Sequence, residues 1–250
     1  MSRKEYYKNI DRVFRLPRIW SNRELRKIAH FFEGDIVNVS GWKDIDKEGQ
    51  LYKDYFINAK SYSISNYKAE SKGMQGLENE FFLDLEENLS EKLTGRFDVV
   101  FNHTVLEHIY NVRKAMENIC KMTKDIAIVV VPFLQEMHAE YGDYWRFTPL
   151  TMKKMFEENG MDMIYCNFNS HSNSSVYLFC IGTKNKEKWQ ETLPFLYTFV
   201  DPFKSNNSLQ NWVGTHAIQN SSYYKNKHSL LKKIKFKIKF YLKKLTNNKF

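Results

Sequence analysis

The stretch Phe97-Asp-Val-Val-Phe-Asn-His-Thr-Val-Leu-Glu-His108 decides the fold. Phe97, Val99, Val100 and Phe101 form an apolar run too short for a helix and rich in β-branched and aromatic side chains, which reads as a buried strand. A strand apolar at consecutive positions is covered on both faces, and such strands belong to parallel sheets. Polar Asn102, His103 and Thr104 break the run, and Val105, Leu106 and Ile109 resume at helical spacing. The strand therefore ends in a polar loop at its carboxyl edge, where open α/β sheets bind ligands.

On either side the same alternation continues. Ser21 and Glu24 have the spacing of a capping box, which opens a helix over Asn22 to Phe32 with Leu25, Ile28, Ala29 and Phe32 on one face. Asp35 to Val39, Ser61 to Ser65 and Phe81 to Leu85 read as the first three strands. A helix over Val112 to Met122 turns Ala115, Met116, Ile119 and Met122 inward, and Ile126 to Val131 is a fifth strand, nearly all β-branched. Thr148-Pro149 caps a further helix with Met152, Met155 and Phe156 inward until Gly160. Met161 to Phe168 and Ser174 to Thr183 close the pattern as a hairpin. The chain thus divides into an N-terminal extension (1–20), an α/β domain (21–184), an irregular aromatic and polar segment (185–225) and a basic tail (226–250).

At 250 residues, 42% hydrophobic and 16% aromatic, the chain builds one substantial core. The first thirty residues hold no apolar leader, and the longest apolar run, Ile126 to Leu134, contains Pro132 and falls short of the roughly 18 residues of a membrane span. Cys120, Cys166 and Cys180 form no CxxC pair, and their odd number points to small core residues in a reducing cytoplasm. Of 38 Lys and Arg, 11 Lys fall from Pro202 onward with no acid among them, so the remainder carries 27 basic against 29 acidic residues. A basic nucleic-acid footprint over the fold is therefore not expected.

The segment FDVVFNHTVLEHI resembles the fourth strand and following helix of class I S-adenosylmethionine-dependent methyltransferases, and the likeness extends through VVVPFLQEMHAEYGDYWRFTP. The resemblance implies a Rossmann-like, doubly wound α/β sheet of seven strands, mostly parallel with a C-terminal antiparallel hairpin. It also implies S-adenosylmethionine as cofactor, lying against Asn38, Ser40, Gly41, Asn66, Asp84, Leu85 and Asn102. The glycine-rich turn of that family is degenerate here: Asn38-Val-Ser-Gly-Trp-Lys-Asp44 keeps only Gly41, with Trp42 where a glycine is expected and Asn38 at a position often acidic. Ser65-Asn66 replaces the carboxylate that usually accepts from the ribose hydroxyls, and Asp84 either lies near the adenine or caps the turn into Glu86 and Glu87. Two eroded motifs leave a second reading open, a non-catalytic methyltransferase-fold subunit that has lost the cofactor and scaffolds a partner enzyme.

YGDYWRFTP resembles methyltransferase-like proteins of bacterial surface-polysaccharide (capsule or lipopolysaccharide) clusters, which implies a sugar or phosphorylated-sugar acceptor. Tyr144 and Trp145 suit stacking on a sugar face, Arg146 suits a phosphate or carboxylate, and His138, Asp143 or His103 suits removal of a proton. The plainer alternative packs Tyr144, Trp145 and Arg146 onto the sheet, with Arg146 paired to Asp143 or Glu140. His108 is expected to have its ring tied to a backbone carbonyl. Because the histidines lack HxxxH spacing and no Cys accompanies them, no metal site is expected. In the tail, Leu231, Ile234, Ile238, Tyr241 and Leu245 make one apolar helical face among lysines, suited to an anionic membrane surface. A competing strand period runs through Ile234, Phe236, Ile238 and Phe240, and a solvated tail or a protein-docking segment stays open. The expected location is cytoplasmic, with peripheral attachment to the inner face of the cell membrane through the tail.

Overall fold

A computed structural model of the chain describes residues 10–68, 73–138 and 142–192, together with positions 213, 214, 217 and 234. Seven strands, β1 (Gly34–Val39), β2 (Ala59–Asn66), β3 (Glu80–Phe82), β4 (Phe97–His103), β5 (Thr123–Leu134), β6 (Asp162–Phe168) and β7 (Val176–Thr183), form one sheet in the order β3-β2-β1-β4-β5-β7-β6. The first five pair in parallel, whereas β7 runs antiparallel to both β5 and β6. The seven-stranded, mostly parallel sheet with an antiparallel C-terminal hairpin is thus present. Strand order reverses between β1 and β4, so the carboxyl ends of these two strands flank the sheet's topological switch point.

Among the described residues four helices of this length accompany the sheet, α1 (Arg15–Ile28), α2 (Val112–Met122), α3 (Pro149–Glu157) and the short α4 (Lys186–Thr192). Successive residues of the central strands feed opposite cores, as a period of two requires. Val100, Ala127, Val129 and Val131 pack with α2 and α3. Val99, Phe101, Ile126, Ile128 and Val130 pack with α1 and with Trp189 of α4. Each such side chain contributes roughly 1.5–3 kcal/mol by burial, so β4 and β5 hold both layers. Ala115, Met116, Ile119 and Met122 face inward from α2, and Met152, Met155 and Phe156 from α3, as their spacing predicts. Thr148 caps α3 by accepting from the Thr151 N–H at 3.1 Å. All three cysteines are free and buried in the core.

Three of the differences from the sequence reading move residues between parts of the fold. The first helix begins at Arg15, with Leu16 and Ile19 fully buried, so the fold reaches into the segment read as an extension. Pro17 is tolerated because the first helical turn has no intrahelical acceptor for its missing N–H. Ser21 and Glu24 consequently lie inside the helix rather than at its cap. Ser21 instead donates to the Arg18 carbonyl at 2.9 Å, and Glu24 accepts from Tyr165 of β6 at 2.6 Å. The third strand stops at Phe82. Beyond it, Asn118 of α2 donates to the carbonyls of Leu85 and Glu87 and holds that segment as a loop. Nor does structure end at residue 184, since α4 seats Trp189 on the core.

The seat of α3 on β7 depends on one glycine. A Cβ at Gly182 would stand 2.3 Å from the Phe156 ring. Gly182→Ala should therefore destabilise the protein by roughly 1–3 kcal/mol through overpacking, read as a lower urea midpoint. An unchanged midpoint would show that Phe156 is not seated there.

Candidate active site

At the switch point the backbone is strained. Ser40 (φ +56°), Trp42 (+50°), Asp44 (+59°) and Thr104 (+53°) all adopt the left-handed region without being glycine. Such residues cost of order 1–3 kcal/mol and persist where surrounding bonds over-determine them. Here Asn66 clamps Trp42, accepting from its N–H at 2.7 Å and donating to its carbonyl at 3.0 Å. Thr104 donates its N–H to the Val130 carbonyl at 2.8 Å.

Buried carboxylates hold the rest of this loop. Asp44 accepts from Asn38 Nδ2 at 2.8 Å, from the Tyr62 hydroxyl at 2.7 Å and from the Lys53 N–H at 2.9 Å, while burial pushes its carboxyl pKa up. Asp46 accepts from the N–H groups of Glu48 (2.7 Å) and Gln50 (2.9 Å), from Arg26 at 3.2 Å and from the Tyr55 hydroxyl. Gly41 is required by close approach, since a Cβ there would meet Asn38 Nδ2 at 2.6 Å.

Among the residues expected around a cofactor, the structure places Ser40, Gly41 and Asn102 at the switch point, with Asn38 behind them in its bond to Asp44. The Gly41 N–H donates to the Ser65 carbonyl at 3.2 Å, so the turn leans on β2. Asn66 spends its amide on Trp42 and on Glu80, 2.5 Å away, and is not free to receive ribose hydroxyls. Asp84 accepts from the Glu86 N–H at 2.9 Å, the capping role, and Leu85 is buried in the core. Asn102 donates to the Val39 carbonyl at 3.1 Å, and its Oδ1 is buried without a partner among the described residues.

A second group lies in the loop after β5, which folds back onto Glu107. The N–H groups of Tyr144 and Trp145 both donate to the Glu107 carbonyl, at 2.8 and 3.3 Å. Trp145 Nε1 donates to the carbonyls of Ile109 (3.0 Å) and Tyr110 (3.2 Å). Three aromatic rings are thereby displayed together: Tyr110, 71% exposed, stands edge-on to Tyr144, 52% exposed, beside the half-exposed Trp145. Beneath the loop the Glu107 side chain is 1% exposed, neither carboxyl oxygen has a hydrogen-bond partner among the described residues, and burial pushes its pKa up to about 7. The His108 Nδ1 bonds the Gly142 carbonyl at 2.6 Å, the tie its sequence context predicts. The His138 ring packs edge-on to it, with centroids 4.9 Å apart.

The three expected proton acceptors differ in what they are free to do. His103 is engaged at both nitrogens, by Ser21 Oγ at 2.7 Å and Thr104 Oγ1 at 3.2 Å, and burial holds its pKa well below the usual value. It ties α1 to the sheet as a neutral ring. Asp143 is bonded in a fork by Arg146, with Nη1 to Oδ1 at 2.5 Å and Nη2 to Oδ2 at 2.7 Å, which holds its pKa down to about 2. A carboxylate so stabilised is a poor base. Arg146 also donates to the carbonyls of Gln135 (3.1 Å) and Glu136 (3.0 Å), so its guanidinium is spent on packing the loop rather than turned toward a ligand. His138 donates its backbone N–H to Asp143 at 2.8 Å, and its Nδ1 lies 3.5 Å from the same carboxylate without a hydrogen bond. It is the member that keeps a ring nitrogen open.

Residues that the sequence reading left out complete the site. Glu107 is the one acid in the organising stretch after β4, a signal present but unused. Arg18 on α1 bears electrostatically on His103, Glu107 and His108 alike, which a distant helix position gives no means to foresee. The Arg146–Asp143 fork yields a test. Because the Asp143 side chain is fully buried, Arg146→Ala should destabilise by roughly 2–3 kcal/mol, and removing both partners should cost less than the sum of the single losses. Thermal denaturation of the two singles and the double decides; strict additivity would show that the pair is not coupled.

No protein-family model matches the sequence, and no curated protein matches it. Among solved structures, similar ones include the YcgJ protein from Bacillus subtilis, 12% identical over 66% of this chain and 98% of that one, with a TM-score of 0.48. Magnesium protoporphyrin IX methyltransferase from Synechocystis, crystallised with bound S-adenosylhomocysteine, is 10% identical over 67% and 83% of the two chains, with a TM-score of 0.48. An S-adenosylmethionine-dependent methyltransferase from Clostridium acetobutylicum is 10% identical over 72% and 94%, with a TM-score of 0.48.

Proposed function

We propose that the protein transfers a methyl group from S-adenosylmethionine to a sugar or sugar-linked phosphoryl acceptor in bacterial surface-polysaccharide synthesis. The observation that carries this reading is the switch point between β1 and β4, where Ser40, the close turn at Gly41 and the unpartnered Oδ1 of Asn102 converge on strained backbone. These residues would hold the cofactor, whose sulfonium supplies an already activated methyl group. The protein then has to align the acceptor and accept its proton. Tyr110, Tyr144 and Trp145 offer the stacking surface, Asp143 and Arg146 fix the loop that carries it, and His138 stands as the open ring nitrogen beneath it.

A specific observation favours a second reading. The N–H groups of Gly41 and Trp42 are bound to β2, and the Asn66 amide is already spent, as in a subunit that has lost its cofactor and scaffolds a partner enzyme. Calorimetry with S-adenosylhomocysteine separates the two. Saturable one-to-one binding is expected, and its absence leaves the scaffold reading. Trp145→Ala should raise the acceptor KM about tenfold, equivalent to about 1.4 kcal/mol of lost stacking, without changing S-adenosylhomocysteine affinity.

The tail lies outside the described residues apart from Ile234, and no helix among the described residues is long and apolar enough to cross a membrane. Its lysines over an apolar stripe support attachment to an anionic surface, each contributing about 1 kcal/mol near the membrane. Deleting His228 to Phe250 should abolish sedimentation with anionic vesicles at low salt and leave activity on a soluble acceptor intact. Equal sedimentation with neutral vesicles would turn the tail into a solvated or protein-docking segment.

A further inference from the structure

We infer that Glu107, His108 and His138 form a binding site for one first-row divalent transition cation. One ligand atom from each lies within 4.8 Å of the other two. Tetrahedral donors around an ion at about 2.1 Å stand about 3.4 Å apart, so closure asks the widest pair to approach by about an ångström. The His138 ring, half-buried on a loop, has that freedom.

The donors are prepared for an ion in three ways. Glu107 is fully buried and both its oxygens lack a hydrogen-bond partner among the described residues, a costly state that an ion would relieve. The Gly142 carbonyl can only accept, so His108 carries its proton on Nδ1, and Nε2, the atom that would ligate, lies 3.9 Å from Glu107 Oε1. Asp143 stands 3.5 Å from His138 Nδ1 without a hydrogen bond, close enough that a small turn of the ring would let the carboxylate orient it through that nitrogen while Nε2 faces the ion. The charge of Arg146 is matched by Asp143 in their fork. Arg18 does bear on Glu107 by charge, but it is bonded to Tyr177 instead. Two imidazoles and one carboxylate suit zinc, cobalt, iron or manganese, and not calcium, which takes an all-oxygen shell.

The three donors come from separate places in the chain: Glu107 and His108 from the turn after β4, His138 from the loop after β5. No linear spacing announces them, which is why the sequence reading expects no metal. With an ion bound, His138 would serve as a ligand and not as a free base, and the ion would supply Lewis-acid polarisation of an acceptor oxygen. Ion binding is read directly, so it stands or falls apart from methyl transfer.

The test uses the full-length protein, stripped with a chelator and titrated with Zn²⁺ by calorimetry and with Co²⁺ by visible absorption. One ion per chain is expected, with a rise in Tm. Glu107→Gln and His138→Gln should each weaken binding at least tenfold, while His30→Ala, remote from the cluster, should leave it unchanged. If Glu107→Gln fails to fold, His138→Gln decides alone, because that ring is only half-buried. Absence of saturable binding, or affinity unchanged in the substituted proteins, overturns the inference and leaves Glu107 as a buried carboxyl of the core.

Discussion

Double burial of β4 and β5 is the constraint on which the rest depends. Their residues alternate between two separate cores, so each face of the sheet must be covered along its full width. Between β1 and β2, however, the connection has no α-helix, only a short 3₁₀ turn over Tyr52–Tyr55. Tyr52, Tyr55 and Phe56 supply the cover that a helix would give. A loop can do this only if its polar groups are satisfied, and Asp44 and Asp46 satisfy them from inside with seven hydrogen bonds in the contacts described above. Asp44 itself lies at positive φ within this network, while β2 holds the preceding turn, Ser65 bonding Ser40 and Asn66 bonding Trp42. The shape of the turn after β1 is thus bound up with how this helix-free connection covers the sheet.

The strands were legible because consecutive β-branched and aromatic residues have no other use. Ile126 to Val131 and Val99 to Phe101 could hardly be anything but strands covered on both faces. Helix α1 was misplaced because Ser21 and Glu24 have capping-box spacing, a local signal, while their actual partners are His103 and Tyr165, 82 and 141 residues away. Asn66 misled for a related reason, and of the two uses left open for Arg146 the fold shows the pair with Asp143. Residue type says that an amide or a guanidinium can serve a ligand, but only the fold reveals that Trp42, Glu80 and Asp143 have already engaged them. The tie of His108 to a carbonyl was legible, whereas its proximity to His138 across 30 residues was not.

Polar residues at the carboxyl edge sort by whether their bonding capacity is filled. His103, Asn66, Asp143 and Arg146 are filled; the first two fasten one element to another, and the Asp143–Arg146 pair holds its own loop together. Asn102 Oδ1, both oxygens of Glu107 and Nδ1 of His138 are not. An unsatisfied buried group costs about 1–3 kcal/mol, so leaving several along one edge is expensive. Asn118 Oδ1 is also unpaired, in α2 away from that edge, but its amide nitrogen makes two bonds that offset the loss. Glu107 has no such compensation on its side chain, although its carbonyl anchors the entire aromatic loop through Tyr144 and Trp145. The backbone of this residue is therefore structural and its carboxyl is held in reserve. That division within a single residue sets its unsatisfied carboxyl at the junction of β4 and the loop after β5, under the exposed rings.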